Sequence, residues 1–235
     1  RTLFIQTAPT PNPSAVKFIP GTPILPPSTP TIEYLSGRLS HSSPLARKLF
    51  SIDGVSSILF SPDFITINKT ATADWSNIKP EVFALLTEAL SSGETVIDLA
   101  AAMKEKSGEF GVEGSYVAPD TAPQDGDSEV VEMVKELLDT RIRPTIQEDG
   151  GDIEYLGFDE GKGIVRVRLR GACRSCDSSA TTMRNGIESM LMHYIDEVNA
   201  VEQIMDEDET DARAKEEADR ARFEEKLRKV KGVAK

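Results

Sequence analysis

The sequence predicts an α+β protein made of two small domains, and three observations lead to this prediction. The length of 235 residues suits one or two domains of about 150 residues each. In both halves of the chain, short segments with the alternation of strands lie beside segments with the apolar spacing of helices. Between the halves, residues 106–127 are rich in glycine, proline and acidic side chains, which predicts a flexible linker. We therefore expect domains at 1–105 and 128–205, followed at 206–235 by a charged tail that is helical or disordered.

The first domain begins with a proline-rich stretch that excludes a long helix and leaves room for short strands. Leu3–Ile5 and Ala15–Ile19 are the best strand candidates there, and a short helix is expected at Pro44–Phe50. Val55–Phe60 and Phe64–Asn68 are predicted to pair as a hairpin, because the Ser-Pro-Asp between them favours a turn.

A longer helix closes this domain. Pro80 is expected in its first turn and Gly93 at its end. Its apolar residues recur at helical spacing and are Ile78, Val82, Leu85, Leu86 and Ala89. The domain has no cysteine, and we expect it to recognise partners or to tune the oligomeric state.

The second domain is expected to follow the order α-β-β-α-β. Ser128 is predicted as the N-cap of the first helix, which Pro144 disturbs. The apolar stripe of this helix consists of Val130, Val131, Val134, Leu137, Leu138 and Ile142. The segments Ile153–Phe158 and Ile164–Arg170 are predicted to form a hairpin that closes at Glu160–Gly163.

Strict alternation in the second strand separates an apolar face from a basic face. Val165, Val167 and Leu169 are expected to face the core. Arg166, Arg168 and Arg170, together with Arg174, form either a solvated face or a surface that attracts an anionic group or an acidic client.

The rest of this domain is predicted as a loop, a helix and a strand. The loop spans Gly171–Ser179, and the strand spans Val198–Ile204. The helix between them is expected to bury Met183, Ile187, Met190, Leu191, Tyr194 and Ile195.

Composition narrows the classes of function. The net charge of −12 argues against a binder of nucleic acid or of anionic membranes, since both need a basic surface. The sequence contains no apolar run long enough for a transmembrane helix. Two cysteines are too few for a disulfide framework.

The two cysteines, Cys173 and Cys176, are the reactive-looking site of the chain. A spacing of two residues lets both sulfurs turn toward one metal centre. They lie between a strand and a helix, where free N–H groups of the first helical turn favour the thiolate. Gly171 permits an unusual backbone angle where the strand ends.

Three interpretations of this pair remain open: incidental core cysteines, a thioredoxin-like dithiol, and metal or cluster binding. A zinc ion or an iron–sulfur cluster usually takes four protein ligands, but the chain has only two cysteines. His41 and His193 are expected to be surface residues, because one lies in the other domain and one lies off the apolar stripe. Two chains together supply four thiolates, which favour iron–sulfur, zinc or copper(I).

Motifs in both domains resemble those of the Nfu iron–sulfur scaffold proteins, in the two-domain mitochondrial form. The second domain resembles the NifU-like domain in Ile142-Arg143-Pro144, Gln147-Glu148-Asp149-Gly150-Gly151-Asp152, Gly171-Ala172-Cys173, Ser175-Cys176 and Ser178-Ser179. The first domain resembles the Nfu N-terminal domain in Thr10-Pro11-Asn12-Pro13, Lys17-Phe18, Gly54-Val55 and Lys79-Pro80-Glu81-Val82-Phe83. Asp177 departs from the family, which often has proline there; its carboxylate would weaken a cluster slightly or cap the next helix.

The resemblance implies a non-enzymatic carrier located in the mitochondrial matrix. Cys173 and Cys176 would bind a [4Fe-4S] cluster, with [2Fe-2S] as the alternative, shared between the two chains of a homodimer or a higher oligomer. The implied partners are upstream cluster-assembly proteins and apo iron–sulfur clients, with no nucleic acid and no membrane. A dithiol oxidoreductase and a structural zinc-bridged dimer are the alternative functions. The turn Glu148–Asp152 either lines the site or only joins a helix to a strand.

Overall fold

The computed structural model describes residues 4–27, 29–106, 120–174 and 177–205. The described residues form two α+β domains, each with its own sheet and its own hydrophobic core. Both belong to one compact unit that ends at Glu202. None of the described helices has the length and apolar character needed to cross a membrane. The predicted fold class is therefore confirmed, while most of the predicted linker and the tail lie outside the described residues.

The first domain contains a five-stranded antiparallel sheet with the strand order β1-β2-β5-β4-β3. Its strands are β1 (Gln6–Pro9), β2 (Ala15–Ile19), β3 (Ile32–Tyr34), β4 (Val55–Phe60) and β5 (Ile65–Lys69). The predictions of β2 and of the β4–β5 hairpin are confirmed to within one residue.

Two strands of this sheet differ from the prediction. The first strand was predicted at Leu3–Ile5, of which Leu3 lies outside the described residues; Phe4 and Ile5 are not in a strand, and β1 lies at Gln6–Pro9, where it pairs with β2 along the sheet edge. Pro9 is tolerated because an edge strand need not donate every N–H to a neighbour. The strand β3 was missed because only three residues emerge from the proline-rich stretch.

In the described part of the first domain there is a short 3-10 helix at Gly37–Leu39 and there are three α-helices, α1 (Pro44–Phe50), α2 (Trp75–Ser92) and α3 (Leu99–Lys106). The prediction of α1 is confirmed, and α2 ends as expected at Gly93, which has a left-handed φ of 68°. Pro80 lies in the second turn of α2 and not in the first, because the helix starts earlier, after its cap Asp74. The short helix α3 was not predicted.

The second domain has the predicted α-β-β-α-β order, with its first helix in three parts. These parts are α4 (Glu129–Leu137), a π-helical segment (Leu138–Ile142) and α5 (Arg143–Glu148). The sheet follows the order β6-β7-β8, with β6 at Gly151–Asp159, β7 at Ile164–Gly171 and β8 at Ala200–Gln203. The helix α6 spans Asp177–Tyr194.

Pro144 explains the interruption of the first helix. Proline has no N–H for the carbonyl four residues earlier, and a wider π turn relieves the resulting misfit. The Arg143 N–H accordingly bonds to the Leu138 carbonyl, five residues back. Ser128 occupies the predicted N-cap position of α4, but its side chain makes no capping hydrogen bond.

The buried face of α6 is narrower than predicted. Ile187, Leu191 and Ile195 are buried, whereas Met190 and Tyr194 are exposed, which corrects the prediction for these two residues. The side chain of Met183 lies outside the described part of the chain. The predicted loop is also too long, because β7 extends through Gly171 and α6 begins at Asp177. The side chain of Asp177 is not described.

Candidate functional site

The cysteine loop joins β7 to α6. Gly171 ends β7 with a φ of +63°, and Cys173 lies in the turn that follows. Glycine is required there, because a Cβ at Gly171 would lie 2.6 Å from Leu59 Cδ2 and 2.9 Å from the Gly150 carbonyl oxygen. The prediction of an unusual backbone angle at Gly171 is thus confirmed. Cys176 lies outside the described residues.

Cys173 is buried at the edge of the second domain's core. Only 4% of its surface is exposed, and it belongs to the same apolar cluster as Ile153 and Leu169. Its Sγ lies so close to the start of β6 that a Cβ at Gly151 would be 2.2 Å from the sulfur. Gly151 therefore creates the space that the sulfur occupies.

The turn at Glu148–Asp152 contains Gly151. The turn joins α5 to β6, and at the same time one of its residues contacts Cys173. The neighbouring Asp152 is buried and binds Arg143 Nη1 at 3.2 Å, the hydroxyl of Thr31 and the N–H of Ile153. Burial raises the pKa of the Asp152 carboxyl, and the Arg143 guanidinium opposes that shift.

A glutamate from the first domain holds the cysteine loop from both sides. Glu33 Oε1 accepts the Gly171 N–H at 2.8 Å, and Glu33 Oε2 accepts from Arg174 Nη2 at 2.7 Å. Arg170 Nη1 lies 3.4 Å from the same Oε2. The Glu33 side chain has no exposed surface, so this ion cluster is shielded from water.

The arginine face of β7 was predicted to be either a solvated face or a surface for an anionic group or an acidic client. Its two ends differ, and neither description fits the whole face. Arg166, at the far end, is 44% exposed and pairs with Asp159 and Glu202, as a solvated face would. Arg168 and Arg170 instead share Glu154, and Arg170 is buried. The solvated interpretation is wrong for Arg170 and Arg174, because the first domain covers them.

Other polar side chains of the first domain bind main-chain carbonyls of the second. Thr66 Oγ1 donates to the Gly150 carbonyl at 2.6 Å, and Asn68 Nδ2 donates to the Gly171 carbonyl at 3.1 Å. Asn12 Nδ2 donates to the Ala172 carbonyl at 2.9 Å. Lys17 Nζ donates to the Gln147 carbonyl at 2.8 Å, and burial lowers the pKa of Lys17. Sequence reasoning named Asn12 and Lys17 only as part of the family resemblance, and it gave Thr66 and Asn68 no role beyond a strand.

The two histidines are exposed, as predicted. Among the described residues, no group of three or more His, Cys, Asp or Glu side chains is placed to hold a metal ion.

Both domains match known family models. The model of the scaffold protein Nfu/NifU N-terminal domain matches residues 5–93, and the model of the NifU-like domain matches residues 134–202. The fold, the cysteine loop and these matches define a two-domain scaffold protein of the NifU type.

Relatives match along nearly the whole chain. A NifU-like protein of Schizosaccharomyces pombe is 47% identical over 227 residues, which are 97% of this chain and 81% of the relative. The human mitochondrial NFU1 iron-sulfur cluster scaffold homologue is 48% identical over 90% of this chain and 75% of its own length. NifU-like protein 4 of Arabidopsis thaliana, also named as mitochondrial, is 47% identical over 89% of this chain and 69% of its own length.

The chain belongs to the Nfu family of iron–sulfur cluster scaffold proteins. Proteins of this family are scaffolds and not enzymes. The resemblance in the sequence is thereby confirmed, and the names of the relatives support a mitochondrial location.

Proposed function

We propose that this chain carries an iron–sulfur cluster as cargo, held by Cys173 and Cys176 of two protomers. The observation that carries the proposal is the ligand count. The sequence contains two cysteines, and the described residues contain no other set of side chains that would complete a metal site. Four thiolates around one centre therefore require two chains.

The position of Cys173 in the chain suits a thiolate ligand. It stands four positions before the first residue of α6, and the N–H groups and dipole at the N-terminus of a helix favour negative charge. Gly151 leaves space beside the sulfur, and Gly171 sets the turn that places it there.

We further propose that the cargo is a [4Fe-4S] cluster that passes to apo-protein clients by ligand exchange. In each exchange step, a client thiol binds an iron atom and displaces one cysteine of the scaffold. The proton lost by the client thiol is taken up by the released scaffold thiolate, so the transfer requires no change in oxidation state. Upstream assembly proteins of the mitochondrial matrix would supply the cluster.

Native mass spectrometry after anaerobic reconstitution with iron and sulfide tests this proposal. We expect a dimer, or a higher oligomer built from dimers, with one four-iron, four-sulfide mass for every two chains. A metal-free monomer that turns over a disulfide substrate would instead indicate a dithiol oxidoreductase. A colourless dimer with one zinc, unfolded by chelators, would indicate a structural zinc site.

Serine variants identify the ligands. Cys173→Ser and Cys176→Ser should each lose the cluster while the circular dichroism of the apo protein stays that of the wild type. A mixture of wild-type and doubly substituted chains should hold cluster in proportion to the wild-type homodimer. Retention of the cluster by the double variant would contradict the assignment of both cysteines.

A further inference from the structure

The sheet of the first domain has a buried face that an isolated antiparallel sheet would expose to water. One face of this sheet packs on α1 and α2 through residues such as Ile58 and Ile67. The opposite face carries a row in which Glu33 pairs with Leu59 and Leu59 pairs with Thr66 across neighbouring strands. All three are buried, with exposures of 2%, 0% and 0%. The second domain provides their cover, through the bonds of Glu33 and Thr66 and the contact of Leu59 with Gly171.

The part of the second domain that the first domain covers includes the cysteine loop. The first domain binds Gly171 through its N–H and its carbonyl, Ala172 through its carbonyl, and Arg174 through its guanidinium. Three of the four residues from 171 to 174 are thus held, and the fourth is Cys173. Because its neighbours on both sides are fixed, Cys173 stays in its buried position.

We propose that the first domain is an intramolecular cap on the cysteine loop, and that the cap must open before Cys173 can share a cluster with a second chain. The second part of this statement rests on the function proposed above. A cysteine that is only 4% exposed cannot also bind an iron atom held by another protomer. Cap and cluster therefore compete for the same loop, and each lowers the apparent affinity of the other.

Glu33 makes the charged contacts that hold this cap closed, and we call it the latch. Its single carboxylate binds the main chain at Gly171 and the side chain of Arg174, so its loss removes a bond on each side of Cys173. Without the negative charge, the buried Arg174 would lose its ion pair with Glu33, and Arg170 would retain its pair with Glu154 alone of the two carboxylates that it contacts, which favours opening. When the cap opens intact, all three charged groups regain water, so the latch is breakable.

The rate of alkylation of Cys173 by iodoacetamide in the reduced apo protein tests the cap directly. A Cys176→Ser background leaves Cys173 as the single thiol of the full-length chain. We expect Glu33→Gln to raise the alkylation rate about 10-fold or more, because the reagent reacts with the open population. Glu88→Gln, on the exposed surface of α2, makes the same charge change and should leave the rate unaltered.

Thr66→Val provides a second variant of the same surface. It removes the bond to the Gly150 carbonyl at nearly constant volume, and we expect a smaller increase in rate than for Glu33→Gln. Circular dichroism establishes whether each variant is folded. If Glu33→Gln is not folded, the alkylation rate of Thr66→Val tests the cap instead. Folded variants that alkylate at the rate of Glu88→Gln would overturn the cap.

Cluster loading tests the second part separately, in chains that retain both cysteines. Anaerobic uptake of iron and sulfide should be faster in Glu33→Gln than in wild type and in Glu88→Gln. In loaded wild-type protein, hydrogen exchange of the Gly171 amide should rise, because the Glu33 acceptor has been withdrawn. Increased alkylation with unchanged cluster uptake would overturn the proposal that the cap must open before the cluster binds. A wild-type protein that loads no cluster would refute the proposed function but would not contradict the cap.

Discussion

At Gly151, an added methyl group would collide directly with the sulfur of Cys173. A Cβ there would lie 2.2 Å from the sulfur, and neither the sulfur nor β6 can move far within the packed core. We expect Gly151→Ala to lower the free energy of unfolding by about 1–3 kcal/mol and to reduce cluster loading. Urea denaturation and the iron content after reconstitution measure the two effects.

Gly186 provides the matched control for that substitution. It lies within α6, and a Cβ there would meet nothing within 4 Å. Gly186→Ala should therefore raise the free energy of unfolding by about 0.5–1 kcal/mol, since alanine favours the helix, and should not alter loading. Equal losses of loading in both variants would contradict the role assigned to Gly151.

Tyr155 gives the fold a defined response to alkaline pH. Burial, with a smaller contribution from the negative charge of Asp127, raises the pKa of Tyr155 to about 12. The unfolded chain releases this proton near pH 10, at about the ordinary pKa of tyrosine, whereas the folded chain keeps it. Stability should therefore fall as the pH rises from about 10 toward 12.

The variant Tyr155→Phe lacks the phenol group, so this proton no longer contributes to the pH dependence of stability. We expect its melting temperature to fall less than that of wild type between pH 9 and 11, in melts followed by circular dichroism. Tyr194→Phe, at the exposed end of α6, should keep the wild-type slope. The same slope in Tyr155→Phe and wild type would mean that the phenol titrates alike in both states.

At the scale of the helix, two serines occupy the same N-cap position, and we expect them to contribute differently to the free energy of unfolding. Ser43 Oγ accepts the Ala46 N–H at 3.0 Å and donates to the Val96 carbonyl at 2.7 Å. Ser128 Oγ precedes α4 and is buried without a hydrogen-bond partner among the residues that the structure describes. We expect Ser43→Ala to cost about 2 kcal/mol and Ser128→Ala to stay within about 0.5 kcal/mol of wild type or to stabilise.

Chemical denaturation of the two alanine variants checks this difference. Each variant is the other's control, because both remove one hydroxyl group before the first turn of a helix. Equal losses would show that the position alone, and not the observed bond, determines the value of a cap.

Most elements could be predicted because a local pattern sets them. The apolar alternation of Val165, Val167 and Leu169 predicted β7, and the spacing of Ile78 and Val82 predicted α2. The strand β3 and the helix α3 were missed because three and eight residues give too little periodicity. The exposure of Met190 was missed because the sequence does not fix how wide a helix face the core covers.

The candidate site was predictable where it is local and not where it spans the two domains. The position of Cys173 after a strand and the role of Gly171 follow from neighbouring residues. The contact between Glu33 and Arg174 joins residues 141 positions apart, and neither residue carries a local signal of it. Thr66 and Asn68 alternate with isoleucines, as on a solvated strand face, yet both are buried by the second domain.

At the scale of the whole molecule, we expect the two domains to unfold together because of the interface between them. Each domain has its own core, but the row of bonds from Glu33, Thr66 and Asn68 makes each the cover of the other. We expect a single calorimetric transition for the apo protein. Glu33→Gln should split it into two, because it breaks the interface and leaves the cores intact, whereas Glu88→Gln should not. Two separate transitions in the wild type would contradict this coupling.

The bonds from the first domain to main-chain carbonyls of the second have a genetic consequence. The donors are side chains, and a single codon change can remove any of them: Asn12, Lys17, Thr66 or Asn68. The acceptors are peptide carbonyls, which every amino acid supplies, so no codon change can delete them. Random mutagenesis selected for a loosened interface should therefore yield its donor-deleting substitutions in the first domain, even though Cys173, which they release, lies in the second.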